Sequence, residues 1–99
     1  MQRESSIEKY IGDQVRKVGC LWYKFTSPGN AGVPDRILIL PGGTILFIEL
    51  KDERGVLSKM QEAQIQRLAL RHVKVRVVKG RREAERFIDI VQRMIAEGR

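Results

Sequence analysis

A chain of 99 residues that is 42% hydrophobic and 31% charged holds enough apolar material for one modest core, which excludes a disordered tail and leaves little room for a second domain. Its 19 Lys and Arg against 12 Asp and Glu give a formal charge of +7, a balance that favours a polyanion, nucleic acid foremost, as partner. The single Cys20 excludes an internal disulfide and cannot make a zinc site with the single His72, and no run approaches the ~20 apolar residues of a membrane-spanning helix.

M-Q-R-E-S-S-I-E at the start carries charge and no apolar run, so a cytoplasmic chain without a leader is expected. Residues 6–18 are predicted helical, with Ile7, Ile11, Val15 and Val18 spaced by three and four, Ser5 as N-cap and Gly19 as stop. Residues 21–26, L-W-Y-K-F-T, read as a strand whose Trp22, Tyr23 and Phe25 join the core, with stacking on bases as the alternative. S-P-G-N-A-G-V-P at 27–34 is a loop by composition. Residues 36–40 and 44–50 are near-continuous apolar runs, the mark of strands buried on both faces, and P-G-G at 41–43 joins them as a hairpin. K-D-E-R-G at 51–55 is a polar turn, and residues 58–71 are a second helix with Ile65, Leu68 and Ala69 inward. Residues 72–78 alternate as a fourth strand ended by Gly80. A third helix, 81–97, carries Ala84, Phe87, Ile88, Val91, Met94 and Ile95 on one stripe, with Gly98 at its end. The second helix is then a crossover, strands three and four run parallel, and the fold is α/β: a mixed four-stranded sheet with helices on both faces.

Charge sits where the strand pattern disfavours it. Glu49 interrupts an apolar strand at I-E-L-K, Lys51 follows two residues on, and Asp35 opens the preceding strand at V-P-D-R. If the turn is residues 41–43, Leu40 faces Thr44 and Asp35 falls opposite Glu49, with Cβ atoms roughly 5 Å apart. Lys51 shares the face of Glu49 by alternation. Two such carboxylates repel, and a hard divalent cation, Mg²⁺ or Mn²⁺, removes the repulsion, with the backbone carbonyl of Leu50 as a further ligand. Lys51 is then placed to contact a scissile phosphate or hold the attacking water. The bland alternative is a salt bridge at a strand end, Glu49 or Asp35 with Lys51.

G-V-P-D at 32–35, the hydrophobic hairpin and E-L-K at 49–51 resemble the PD-(D/E)xK nuclease superfamily. More narrowly, G-x-P-D, E-x-K and L-S-K-M-Q at 57–61 resemble the virus-type replication-repair nuclease (VRR-Nuc) domain in its free-standing form, over about Ile7 to Val78. That resemblance implies a restriction-endonuclease-like αβββαβ core and hydrolysis of DNA phosphodiester bonds with Mg²⁺ or Mn²⁺. It implies that Asp35 and Glu49 are metal ligands, that Lys51 is catalytic, and that Glu8 and Gln61 serve the site. It also implies a homodimer acting on branched DNA such as a Holliday junction. Ser5-x-x-Glu8 and Ser58-x-x-Gln61 are equally capping boxes, which gives both residues a purely structural reading. Gly29 and Gly32 would let the 27–34 loop approach a DNA backbone, or simply connect two strands. Arg67, Arg71, Lys74, Arg76, Arg81, Arg82, Arg86 and Arg93 are candidate phosphate contacts or a solvated face. The competing function is a non-catalytic basic nucleic-acid-binding module of the same fold, which would not need Asp35, Glu49 and Lys51 together.

Overall fold

The computed structural model describes residues 3–99. Met1 and Gln2, part of the stretch read above as lacking a leader, lie outside them. Seven elements follow in order: α1 (Glu4–Lys17), β1 (Leu21–Lys24), β2 (Arg36–Ile39), β3 (Ile45–Lys51), α2 (Lys59–Ala69), β4 (Val75–Lys79) and α3 (Gly80–Ala96). The strands form one sheet in the order β1-β2-β3-β4. β1–β2 and β2–β3 are antiparallel, and β3–β4 is parallel because α2 carries the chain back between them. This is the expected order of helix, three strands, helix, strand and helix.

The hairpin has the register its turn dictates. Arg36 pairs with Ile48, Ile37 with Phe47, Leu38 with Leu46 and Ile39 with Ile45. The P-G-G turn closes through Leu40 N–H donating to Thr44 O at 2.9 Å and Gly43 N–H to Leu40 O at 2.8 Å. A slip of one residue would have turned every side chain to the opposite face.

One face of the sheet is the core. Trp22, Leu38, Leu40, Leu46, Ile48, Leu50 and Val78 are buried there. Against them lie Ile7, Ile11 and Val15 of α1 and Ala84, Phe87, Ile88, Val91 and Met94 of α3. Each fully buried aliphatic chain contributes roughly 1.5–3 kcal/mol relative to exposure.

The other face departs from expectation. The apolar runs predicted two buried faces, yet Ile37, Ile39 and Phe47 are only half-buried, and Leu21, Tyr23 and Ile45 are 47%, 52% and 50% exposed. The reason is α2: no residue of this helix is buried, Ile65 and Leu68 are half-covered, and Ala69 is exposed rather than inward. α2 therefore leaves much of the second face open. Tyr23, assigned to the core from sequence, belongs to that open face, whereas Trp22 is buried as expected.

The helix ends show a second difference. α1 starts two residues early, its N-cap is Arg3 with no side-chain cap bond, and Ser5 lies inside the helix, so the Ser5–Glu8 capping box does not form. At the C-termini, Cys20 N–H bonds to Val15 O and Gly19 N–H to Arg16 O; Val73 bonds to Leu68 O and His72 to Ala69 O in the same way. These are Schellman endings, which need a left-handed residue. Gly19 supplies it for α1 (φ 90°), and His72 supplies it for α2 (φ 62°). His72 thus terminates a helix rather than opening a strand, and β4 starts only at Val75.

Candidate active site

The three charged residues singled out from sequence meet at one end of the sheet. Asp35 directly precedes β2, and its carbonyl accepts from Phe25 N–H at 2.8 Å, which fixes it to β1. Continuing the β2–β3 register by one pair sets Asp35 opposite Glu49. Both point away from the core face, as does Lys51 by alternation. Glu49 is only 3% exposed and is the buried charged residue of the described chain. Lys51 Nζ lies 3.9 Å from its Oε2.

Gln61 completes this cluster. Ser58 N–H donates to Gln61 Oε1 at 2.9 Å, and Gln61 N–H donates to Ser58 Oγ at 3.1 Å. With its oxygen held by its own helix start, Gln61 presents its amide NH₂ to Glu49 Oε2 at 3.3 Å. The capping reading and the site reading of Gln61 therefore hold together: the box orients the amide that touches the carboxylate.

Burial and like charge load the site with strain. Burial, then the nearby charge of Asp35, pushes Glu49 up to about 7, with Lys51 opposing. Asp35 is raised in turn, first by burial and then by Glu8. Its Oδ1 is buried with no hydrogen-bond partner, a condition that normally costs free energy. Glu4, missed by the sequence reading, is raised chiefly by burial and feels the charges of Lys51, Asp35, Asp52 and Glu8. It sits one helical turn before Glu8, so the i, i+4 spacing was the signal available. A helix expected from residue 6 leaves Glu4 outside it, whereas α1 starts at Glu4.

Glu8, expected to serve the site, has a partner on β2. It binds the guanidinium of Arg36, whose centre lies 5.4 Å over the Trp22 ring, on the core side of the sheet. The charge of Glu8 is felt at Asp35. On the other flank, the 27–34 loop is pinned to α2. Gln64 Nε2 donates to Ala31 O at 3.2 Å. At Gly32 (φ 87°) a Cβ would stand 2.7 Å from the Met60 carbonyl, so only glycine lets the loop lie this close.

Among the described residues no three His, Cys, Asp or Glu side chains gather as a metal cage. A pair of hard carboxylates with an orphaned oxygen, plus the Leu50 carbonyl between Glu49 and Lys51, nevertheless fits Mg²⁺ or Mn²⁺, which bind through one or two carboxylates and keep several waters. Zinc is a poor match, since neither His nor Cys is nearby: Cys20 is buried in the core.

Residues 2–82 match the VRR-NUC domain family. The chain belongs to this family. A solved VRR_NUC domain superposes with a TM-score of 0.82 at 30% identity, over 90% of this chain and 97% of that one. A second solved VRR_NUC domain protein, with a TM-score of 0.69 over 94% of this chain and 88% of that one, is 18% identical and speaks to the fold alone. In sequence, "Putative nuclease p44" of Acyrthosiphon pisum secondary endosymbiont phage 1 is 57% identical over 49 residues, 50% of this chain and 53% of that protein. The match thus spans about half the length of this curated relative. The VRR-NUC match ends at residue 82, so nearly all of α3 lies beyond it, although α3 supplies five buried core residues.

Proposed function

We propose that this VRR-NUC chain is a divalent-cation-dependent endonuclease that hydrolyses DNA phosphodiester bonds. The observation that carries the reading is the facing pair Asp35 and Glu49, strained by burial and mutual repulsion, with Lys51 beside them. Mg²⁺ or Mn²⁺ held by Asp35, Glu49 and the Leu50 carbonyl would polarise the phosphate and lower the pKa of attacking water. Lys51 offers its ammonium to the scissile phosphate, where charge grows in the transition state. Gln61 keeps the Glu49 carboxylate turned towards the open face. The +7 chain supplies the attraction for a polyphosphate backbone.

The finer parts of the reading are a branched substrate such as a Holliday junction, a homodimer and a cytoplasmic setting. No helix of the described residues is long and apolar enough to cross a membrane. The open sheet face supports the dimer: Leu21, Tyr23 and Ile45 form an exposed apolar surface on a chain otherwise rich in positive charge. Two copies meeting there by a two-fold axis would pair two sites for paired cuts. Ile45→Lys is expected to give monomers in sedimentation with an unchanged melting temperature, since Ile45 is half exposed already. A parent that sediments as a monomer at micromolar concentration would remove the dimer.

The test of function is cleavage of linear, flapped and four-way-junction DNA with Mg²⁺ or Mn²⁺ and then with chelator. Cutting that needs the cation supports the nuclease. DNA binding without cutting under every cation condition identifies a non-catalytic binding module.

A further inference from the structure

β4 runs one residue further than its alternation predicted, and the added residue is charged. Its last pair is Lys79 with Lys51, directly beyond the pair Val77 with Glu49. Neighbouring strands lie about 4.8 Å apart, so the two lysines leave the sheet as close neighbours. Val78 is buried in the core, so Lys79 turns to the opposite face, the one that carries Glu49 and Lys51. Two contacts fix its backbone there. Its N–H donates to Glu83 Oε1 at 2.8 Å. Gly80, the next residue, lies against the turn that follows Lys51, where a Cβ would stand 2.6 Å from Glu53 Cγ. Positive charge at this sheet end is left without a full set of partners. Lys51 has Glu49 at 3.9 Å, whereas Lys79 takes part in no ion pair of the described residues. Lys79 is half-buried, so its stem is partly covered while its ammonium faces that of Lys51 across one strand spacing. Two like charges so placed repel, and an anion lying across β3 and β4 relieves them both.

We propose that Lys79 is a substrate-binding residue that takes the DNA phosphate next to the scissile one. The proposal rests on the reading of Lys51 as the residue that meets the scissile phosphate. With that phosphate on Lys51, the cut strand continues across the sheet end from β3 to β4, and its next phosphate reaches Lys79. A flanking phosphate carries the same charge before the cut and during it, so the contact serves KM rather than kcat. It sets the register of the backbone over the site and reads no base.

The test is steady-state cleavage, with Mn²⁺, of the DNA that the parent cuts best among linear, flapped and four-way-junction forms. Lys79→Met keeps the covered stem and is expected to raise KM about five- to tenfold, the scale of one charge-assisted contact, with kcat little changed. The log–log slope of binding against salt should become shallower by roughly 0.9, the share of one phosphate. Lys79→Arg keeps the charge and should stay near the parent in both. Lys17→Met removes the same charge at the C-terminal end of α1 and should leave KM within about twofold of the parent, because salt screens so distant a charge. A neutral methylphosphonate is then placed in turn at each phosphate flanking the cut. One position should raise KM for the parent and leave Lys79→Met unmoved, the non-additivity of two groups in contact. Parent-like KM in Lys79→Met overturns the proposal, as does an equal loss in Lys17→Met or a methylphosphonate effect that is the same in parent and Lys79→Met. A parent that cuts no DNA with either cation refutes the nuclease reading itself, whereas a cutting parent with an indifferent Lys79 refutes only this contact.

Discussion

Asp35→Asn should lose cleavage by 10²-fold or more and yet melt at a higher temperature than the parent in chelator. The two effects share one cause. In the cation-free protein burial and then the Asp35 charge lift Glu49, burial and then Glu8 lift Asp35, and Asp35 Oδ1 is buried without a partner. Replacing the carboxylate by an amide removes one member of the repelling pair and adds an N–H₂ donor beside Glu49. Stability gained by neutralising a site is the usual sign that the site is held in tension for function. Lys51→Ala should also lose cleavage by about 10²–10³-fold, the scale for removing one pre-aimed group from a phosphoryl-transfer site. Here stability should not rise, because Lys51 is the cation that opposes the upward push on Glu49. Both variants should retain DNA binding, since the charge of the remaining Lys and Arg is intact. Parent-rate cleavage by either variant removes that residue from the mechanism, and an Asp35→Asn protein that melts below the parent contradicts the electrostatic reading.

The second large effect is on pH. Glu49 titrates near 4.5 in an unfolded chain and is pushed up to about 7 in the fold. Between those values the native state binds more protons than the unfolded state. By linkage, stability in chelator must fall as pH rises from about 4.5 to about 7, and level off above. The loss from this group is on the order of 3 kcal/mol. Asp35, raised in the same sense, adds to the lower part of the window. A divalent cation reverses the trend: its ligands must be deprotonated, so Mn²⁺ should bind tighter with each step of pH up to about 7, releasing close to one proton per ion at pH 6. Thermal melts across pH 5–8 with and without Mn²⁺ read the first half, and calorimetry in two buffers of different ionisation enthalpy reads the second. Glu49→Gln should flatten both. A parent that gains stability with pH in chelator would show that Glu49 is not held protonated.

Much of the site was legible because it depends on local chain geometry. A strand alternates with a period of two, and a three-residue P-G-G turn admits one register, so the meeting of Asp35 and Glu49 follows from the sequence. Ser58-x-x-Gln61 likewise carried its own capping geometry, whereas the contact of the Gln61 amide with Glu49 needed the placement of α2 beside the sheet. Glu8 and Glu4 were less legible for one shared reason. Helix starts depend on whether a capping side chain wins the first N–H groups; here none does, and α1 begins at Glu4, one turn before Glu8.

The chain's own pattern was sufficient for the element order, the parallel crossover, the hairpin register and the convergence of Asp35, Glu49 and Lys51. All of these follow from periodicity and connection length, which are properties of neighbouring residues. Only the tertiary structure decided that one sheet face stays open, that Tyr23 points out while Trp22 points in, and that Glu8 pairs with Arg36. Those outcomes depend on how far α2 extends over the sheet and on which cation lies across from a helix carboxylate. They are long-range choices, and an apolar residue in a strand carries no mark of whether a helix will come to cover it.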